Sequence, residues 1–446
     1  MMSGVAGGLR FRCFHPVHHL RRRQLRGVSA AAKNKEKPKV IVISGPTGAG
    51  KSRLALELAK RLNGEIVSAD SVQVYRGLDV GSAKPSLSDR EEVKHHLIDI
   101  MDPSEDYSVG QFYEEARNAT KEILESGRVP IVTGGTGLYL RWYVYGKPDV
   151  PKSSPETVAE VQAEISDLER VGDWDAAVQL VVQAGDSSAQ SLPANDWYRI
   201  RRKLEIIKSS GSPPSAFHVP YDSFREQPNS PNVDDFRSSA SLKNESLGSR
   251  SPEDLDYDFS CFFLSSPRMD LYRSIDFRCE DMVSGSDGIL SEAKRLLDLG
   301  LQPNSNSATR AIGYRNAMEY LLHCKEQGGS STRDFYAFLS GFQKASRNFA
   351  KRQLTWFRNE PIYNWINASR PLEDVLGFIH DSYHVRTGTI EVPKALQMKK
   401  DLSERREILQ MKGYRTNNRH FVGRENCADI LEWIRESQGQ LNLSVN

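Results

Sequence analysis

Apolar residues first gather at Lys39–Ser44, a β-branched run with no helical period, and then recur at Leu54, Leu58 and Leu62, the spacing of one helix face. The pattern predicts strand, loop and helix over 39–62. A strand at 65–68, a helix over 110–126 and a strand at 129–133 continue the alternation of a parallel α/β sheet. Another strand, 260–264, returns only much later. The sequence between, notably 155–182 and 196–209, is helical in period and reads as an inserted helical unit. After Pro267, helices are predicted at 268–283, 289–299, 307–324 and 332–353, with helical character running on through Arg358. The stretch 220–252 is rich in Ser, Asn and Pro and poor in apolar residues, the composition of a disordered insertion. The tail beyond 375 has no clear period and is basic in places, at Lys399, Lys400, Arg405, Arg406, Lys412 and Arg415.

These boundaries divide the chain into a leader (1–39), the first part of an α/β core (40–150), a helical insertion (151–219), a disordered insertion (220–252), a core completion with helices (253–368) and a basic extension (369–446). Charge changes the reading of the leader alone. Residues 1–39 carry a net charge of +9, with Glu36 their single acid, although the whole chain is only +2. Arg-rich sequence with Ser, Ala and Gly between the charges has the composition of an organelle transit peptide, which predicts a plastid or mitochondrial destination. The alternative is a basic tail that touches RNA on a cytosolic protein. No run approaches the roughly twenty apolar residues of a membrane span, so a soluble protein with no membrane partner is expected. The five cysteines, Cys13, Cys261, Cys279, Cys324 and Cys427, form no C-x-x-C pair. That argues against a disulfide framework and a zinc site, and for a reducing compartment.

The sharpest chemical signal is Gly45-Pro46-Thr47-Gly48-Ala49-Gly50-Lys51-Ser52, which matches G-x-x-x-x-G-K-[ST] and lies after a hydrophobic strand and before a helix. The glycines let backbone N–H groups curl around phosphate oxygens, and the helix aims the positive end of its dipole at them. Lys51 then bridges the terminal phosphates and Ser52 is placed to ligate Mg²⁺. The phosphorylated ligand is not named by the loop. A kinase or ATPase needs a strand-terminal Asp for its metal, whereas the strand at 129–133 runs into Gly134-Gly135-Thr136-Gly137-Leu138-Tyr139. Leu97-Ile98-Asp99-Ile100 imitates such a strand, but its polar surroundings, His95, His96 and Asp102, read as a loop. The weight moves from phosphoryl transfer to a reaction in which diphosphate leaves.

The phosphate loop is followed in order by Ser68-Ala69-Asp70-Ser71-Val72-Gln73-Val74-Tyr75, Gly81-Ser82-Ala83-Lys84-Pro85, His95-His96-Leu97-Ile98-Asp99, and Gly134 to Tyr139. Then come Asn195-Asp196 with Arg199 and Arg202, Ile312-Gly313-Tyr314-Arg315, and Ala350-Lys351-Arg352-Gln353-Leu354-Thr355-Trp356-Phe357-Arg358. This ordered set, covering about 40–368, resembles the tRNA dimethylallyltransferase family. The resemblance implies a P-loop NTPase-like α/β fold and transfer of a dimethylallyl group from dimethylallyl diphosphate to N6 of an adenosine next to the anticodon, position 37 of the tRNA. It also implies tRNA as partner; Mg²⁺ at Ser52 is the expected cofactor, and the chain is expected to act as a monomer. Modified tRNA would be a source of cytokinins on turnover. The long insertion after Pro220 departs from compact bacterial members, and the C-terminus lacks the Cys/His finger of cytosolic eukaryotic ones. The chain therefore looks like a bacterial-type member in an organelle-bearing cell, with a plant the expected source. Enzymes that prenylate free adenine nucleotides share the phosphate loop but lack the Lys-Arg-Gln-x-Thr-Trp helix. An adenylate isopentenyltransferase and a P-loop kinase remain the alternatives.

An exocyclic adenine amine is a poor nucleophile, so a carboxylate must accept its proton, and Asp70, following a strand near the phosphate loop, is the candidate base. An aspartate there also suits a turn or a helix cap. Thr136 is the candidate partner for the amine or the diphosphate, with the neighbouring glycines read as a tight turn. Arg199 and Arg202, three apart on one helical face, have the spacing of a phosphate clamp. Residues 335–358 hold Lys344, Arg347, Lys351, Arg352 and Arg358 with no acid, interleaved with Phe342, Phe349, Trp356 and Phe357. Cations there can track phosphates while aromatics stack on splayed bases. Together with Asp70, Ser71, Val72, Gln73, Gly313, Tyr314, Arg315 and Gln353, these are the expected tRNA contacts.

Overall fold

The computed structural model describes residues 37–220, 255–285, 287–385, 390–400, 411 and 413–439. The transit-peptide and disordered-insertion readings fall almost wholly outside them. The described residues begin at Lys37, whose Nζ donates to the Leu255 carbonyl at 2.6 Å.

The β-branched run Lys39–Ser44 forms β1, buried along nearly its whole length. It feeds α1 (Lys51–Leu62), which buries Leu54, Leu58 and Leu62. β2 (Gly64–Ser68), the short α2 (Leu87–Glu92) and β3 (His95–His96) follow, then α3 (Val109–Glu125), started by a Ser108–Gln111 capping box. β4 (Val129–Gly134) leads directly into α4 (Gly137–Tyr145). The sequence pattern hides α4 because Tyr139, Leu140, Arg141, Tyr143, Val144 and Tyr145 are all buried, which leaves no polar stripe to set a period.

The predicted 155–182 helix is two helices, α5 (Pro155–Val171) and α6 (Trp174–Gln183). Gly172 ends the first in the left-handed region at φ 75°, and the Asp173 side chain caps the second by accepting the Ala176 N–H. With α7 (Trp197–Ser210) they enclose an apolar cluster of their own around Val161, Ile165, Val181, Ile200 and Leu204.

β5 (Asp258–Ser265) then returns to the sheet, followed by α8 (Arg268–Val283) and α9 (Ile289–Asp298). The predicted 307–324 helix breaks at Ala311, whose ψ of 133° is extended, into α10 (Ser307–Arg310) and α11 (Ile312–Glu326). α12 (Thr332–Arg358), β6 (Asn364–Asn367), α13 (Leu372–His384) and α14 (Ala428–Gly439) complete the body.

The six strands among the described residues are all parallel, in the order β3-β2-β4-β1-β5-β6, which gives the P-loop NTPase-like α/β sheet. Residues 97–100 form a loop with Leu97 and Asp99 at positive φ, as their polar setting implies. The ends of β1, β2 and β4 therefore lie side by side, and the turns that follow them open on one crevice at the carboxyl edge of the sheet.

Candidate active site

The turn after β1 is the phosphate loop. Gly48 and Gly50 sit at φ 79° and 83°, a conformation that L side chains rarely adopt, and this bend delivers the chain into α1. Lys51 Nζ donates to the Pro46 carbonyl at 2.9 Å, which draws the ammonium back over the loop. Burial pushes the Lys51 pKa down to about 8; the nearby Arg278 guanidinium adds to that effect and Asp70 opposes it. From α8, Ser274 Oγ donates to the Gly48 carbonyl at 3.0 Å and braces the loop.

After β2, Asp70 Oδ1 accepts the Val72 N–H at 2.9 Å. Asp70 thus serves a turn and also lines the crevice. Ser68 Oγ donates to Gln73 Oε1 at 2.8 Å, while Gln73 Nε2 donates to the Ala83 carbonyl at 3.1 Å. Gln73 thereby ties the strand end to the loop 79–84, whose Gly81, Ser82 and Ala83 form another wall. That loop is fixed from behind by Glu292, which accepts the N–H groups of Asp79, Val80 and Gly81 at 2.6, 2.8 and 2.9 Å and the Tyr314 hydroxyl at 2.7 Å.

After β4, the paired glycines are required by close approach rather than by a tight turn. None of Gly134, Gly135 and Gly137 has positive φ. A Cβ on Gly134 would lie 2.1 Å from the Ala69 carbonyl oxygen, one on Gly135 2.3 Å from Gln353 Nε2, and one on Gly137 2.4 Å from Trp356 Nε1. Thr136 occupies the N-cap position of α4 without a capping hydrogen bond from its side chain, and it lines the crevice.

The crevice has a volume of about 500 Å³. It gathers Thr47, Lys51, Ser52, Asp70, Ser71, Val72, Gln73, Thr136, Gly313, Arg352 and Gln353 from the residues expected on sequence. Gln353 acts here through the loops: its Oε1 accepts the Thr47 N–H and its Nε2 donates to the Gly135 carbonyl, both at 2.9 Å.

Other expected contacts lie elsewhere. Arg199 pairs with the N-cap Asp196 at 3.1 Å and Arg202 with Glu205 at 2.9 Å on α7, and neither lines the crevice. Tyr314 is fully buried against Glu292 and supports the 79–81 loop instead of presenting itself to RNA. Arg315 points along its own helix to Glu319 at 3.9 Å. Lys351 and Trp356 line a shallower neighbouring depression with Asn348, Arg352, Thr355 and Asn359. Of the aromatics on α12, Phe342 and Phe357 are core, while Phe349 is exposed at the crevice with the Arg352 guanidinium 5.8 Å from its ring.

The sequence reading missed Arg278. It lines the crevice from α8, close enough for Asp70 to raise its pKa against the stronger lowering by burial. Its signal was legible: Leu271, Ile275, Arg278 and Met282 follow one helix face, and a lone cation on an apolar stripe is rarely there for packing. Tyr139 was missed too; its hydroxyl donates to the Tyr107 carbonyl at 3.3 Å, and burial raises its pKa. Among the described lining residues Lys51, Arg278, Arg310 and Arg352 face one carboxylate, Asp70, a balance suited to a polyanionic leaving group.

The donor set also fits Mg²⁺. The Ser52 hydroxyl lines the crevice beside Lys51, and Thr133 Oγ1, at the end of β4, is buried with no hydrogen-bond partner. No group of three His, Cys, Asp or Glu exists among the described residues. Such a site suits a cation held mainly by substrate phosphates and water.

Residues 73–360 match the family model described as IPP transferase, and residues 38–102 match that described as isopentenyl transferase. The chain is 66% identical over 404 residues to tRNA dimethylallyltransferase 9 of Arabidopsis thaliana, covering 90% of this chain and 87% of that protein. It is 40% identical to the tRNA dimethylallyltransferase of Protochlamydia amoebophila, over 75% of this chain and 85% of the relative. Among solved structures it resembles the tRNA isopentenylpyrophosphate transferase of Bacillus halodurans, with 30% identity, a TM-score of 0.50 and coverage of 78% and 96% of the two chains. It also resembles a eukaryotic dimethylallyltransferase captured acting on tRNA, with 25% identity, a TM-score of 0.57 and coverage of 78% and 79%.

Proposed function

The chain belongs to the tRNA dimethylallyltransferase family and isopentenylates adenosine in tRNA, and from that premise we propose how its own residues divide the work. The donor is dimethylallyl diphosphate and the acceptor atom is N6 of the adenosine next to the anticodon, position 37. The observation that carries this reading is the placing of a phosphate loop with Lys51 and Ser52 in the same crevice as Asp70 and Thr136.

The backbone N–H groups of 47–51 and the start of α1 bind the diphosphate, and Lys51 and Arg278 stabilise the charge that builds on the bridging oxygen. Mg²⁺, held by Ser52 with Thr133 near it, would supply further neutralisation of the phosphates. The N6 lone pair attacks C1 of the dimethylallyl group, the C–O bond breaks, and its electron pair leaves on diphosphate. Asp70 accepts the proton lost from the amine, and Thr136 orients that amine or the departing diphosphate. An adenosine inside a stacked anticodon loop must be extruded to reach this crevice. The exposed Phe349 and the cations Lys344, Lys351 and Arg352 on α12 provide a stacking surface and a phosphate track at its mouth.

We further propose that the leader delivers the chain to a plastid or mitochondrion, that it works there as a monomer, and that turnover of its modified tRNA releases cytokinins. The adenylate isopentenyltransferase reading is not favoured. Incubation with labelled dimethylallyl diphosphate and either unmodified tRNA or AMP tests the assignment: label should enter tRNA, and label entering AMP alone would overturn it.

A further inference from the structure

Beyond the 73–360 span of the family-model match, residues 414–427 lie along α8 and α12, the two helices that bring Arg278 and Gln353 to the crevice. They meet α8 at three carboxylates: the exposed Asp281, which pairs with the Arg419 and His420 side chains, and two buried ones, Asp276 and Glu280, one turn apart. Glu280 is 0% exposed, and every hydrogen bond its carboxylate makes among the described residues comes from this segment. The Arg419 N–H donates at 2.8 Å, and those of His420 and Phe421 at 3.1 Å. Asp276, 1% exposed, accepts the Tyr414 hydroxyl at 2.7 Å and the Arg347 guanidinium of α12. Arg347 in turn donates to Thr416 Oγ1 at 3.2 Å, and Gln343 donates to Asn418 Oδ1 at 3.1 Å. Tyr336 of α12 closes the far end by donating to the Gly423 carbonyl at 2.7 Å.

We propose that residues 414–427 form a strap whose function is to position Arg278 in the transfer site, with Asp276 and Glu280 as the positioning residues through which it acts. Two buried carboxylates at i and i+4 repel, and a buried charge without partners is costly enough to move the element that carries it. Stripped of the strap, Glu280 has no donor, and α8 relieves it by turning that face toward water. Arg278 lies two residues from both carboxylates and therefore on the opposite, crevice-lining face of α8, so the same turn of the helix withdraws its guanidinium from Lys51 and Asp70. The strap is therefore part of the diphosphate site although it touches no substrate. This rests on the assignment of diphosphate to that crevice.

The test compares the wild-type chain with Glu280→Gln, Tyr414→Phe and a chain ending at residue 410, the last with and without a synthetic peptide of residues 413–439. Binding of inorganic diphosphate, binding of tRNA and single-turnover transfer are each measured. The expected result is a rise of about tenfold in the diphosphate dissociation constant and a comparable fall in transfer rate for Glu280→Gln, with tRNA binding unchanged. Tyr414→Phe should give a smaller shift in the same direction, and the peptide should restore the shortened chain. Diphosphate binding and transfer at wild-type values in both point variants would overturn the proposal, as would loss of tRNA binding alone. If Glu280→Gln does not fold, Tyr414→Phe and the peptide rescue decide the matter. Failure of the wild-type chain to bind diphosphate would instead overturn the assignment of the crevice.

Discussion

The backbone N–H of Thr47 donates to Gln353 Oε1 at 2.9 Å, joining the phosphate loop to a helix 306 residues further along the chain. The same amide reaches Gly135, so one side chain sets the distance between the loop that holds diphosphate and the turn that carries Thr136. Replacing Gln353 with Ala leaves the Thr47 N–H without its acceptor and removes the spacer. The expected outcome is a rise in KM for dimethylallyl diphosphate of about tenfold, with tRNA affinity nearly unchanged, since lost hydrogen bonds of this kind cost about 1–3 kcal/mol. Steady-state kinetics with each substrate varied in turn checks it.

Asp70 should separate binding from chemistry. Asp70→Asn keeps the acceptor that holds the Val72 N–H in the turn but has no useful basicity. The single-turnover rate should fall by about 10²- to 10⁴-fold while the tRNA dissociation constant changes little. Preserved rate with collapsed binding would make Asp70 an RNA contact.

Lys51 predicts a pH dependence of known sign. Its pKa of about 8 means that the free site loses this positive charge as pH rises through 8, whereas diphosphate favours the protonated form. Affinity for an unreactive dimethylallyl diphosphate analogue should therefore weaken from pH 7 to 9. Asp70 raises the Lys51 pKa, so Asp70→Asn should move the midpoint to lower pH. The ligand's own ionisation is common to both titrations, so an unmoved midpoint would show that Lys51 is not the titrating group. Lys51→Ala should nearly abolish turnover in a protein that still folds.

The cations of α12 and α7 should differ in kind. Arg352 is exposed at the crevice and Lys351 in the depression beside it, whereas Arg199 and Arg202 are engaged with the N-cap acid Asp196 and with Glu205 of α7. Replacing Lys351 and Arg352 with Ala should weaken tRNA binding and reduce the slope of log K against log salt by about 1–2. The same change at Arg199 and Arg202 should leave that slope near the wild-type value in filter-binding titrations across a salt series.

Most of the parallel core was legible because β1, β2, β4, β5, α1 and α3 announce themselves by period, and the phosphate loop because its spacing is tied to one backbone shape. Asp70 and Thr136 were placed by motif order, and the crevice includes both. What the sequence concealed has a common cause, which is that the residues act on other parts of the chain. Gln353 and Tyr314 sit in motifs that suggest RNA contact, yet their bonds go to the phosphate loop and to Glu292. No motif or spacing in the sequence singles out Glu292 or Glu280. Only the fold reveals that each collects backbone N–H groups from a distant segment. Strands as short as His95–His96 and Asn364–Asn367 carry too few residues for any alternation to register.

The register of β1 has a consequence for how the protein is made. One edge of β1 pairs with β4, but the other pairs Lys39 with Asp258 and Ser44 with Phe263. Closing that edge joins points separated by about 200 residues of chain, a slow step with a loop-closure cost paid before any contact rewards it. A nascent chain therefore shows β1 with an unpaired edge until β5 has emerged, and it gains the Gln353 clamp later still. The catalytic loop, first to be translated, is among the last features to acquire its working shape, and prematurely ended products present an open strand edge where the full chain presents a diphosphate site.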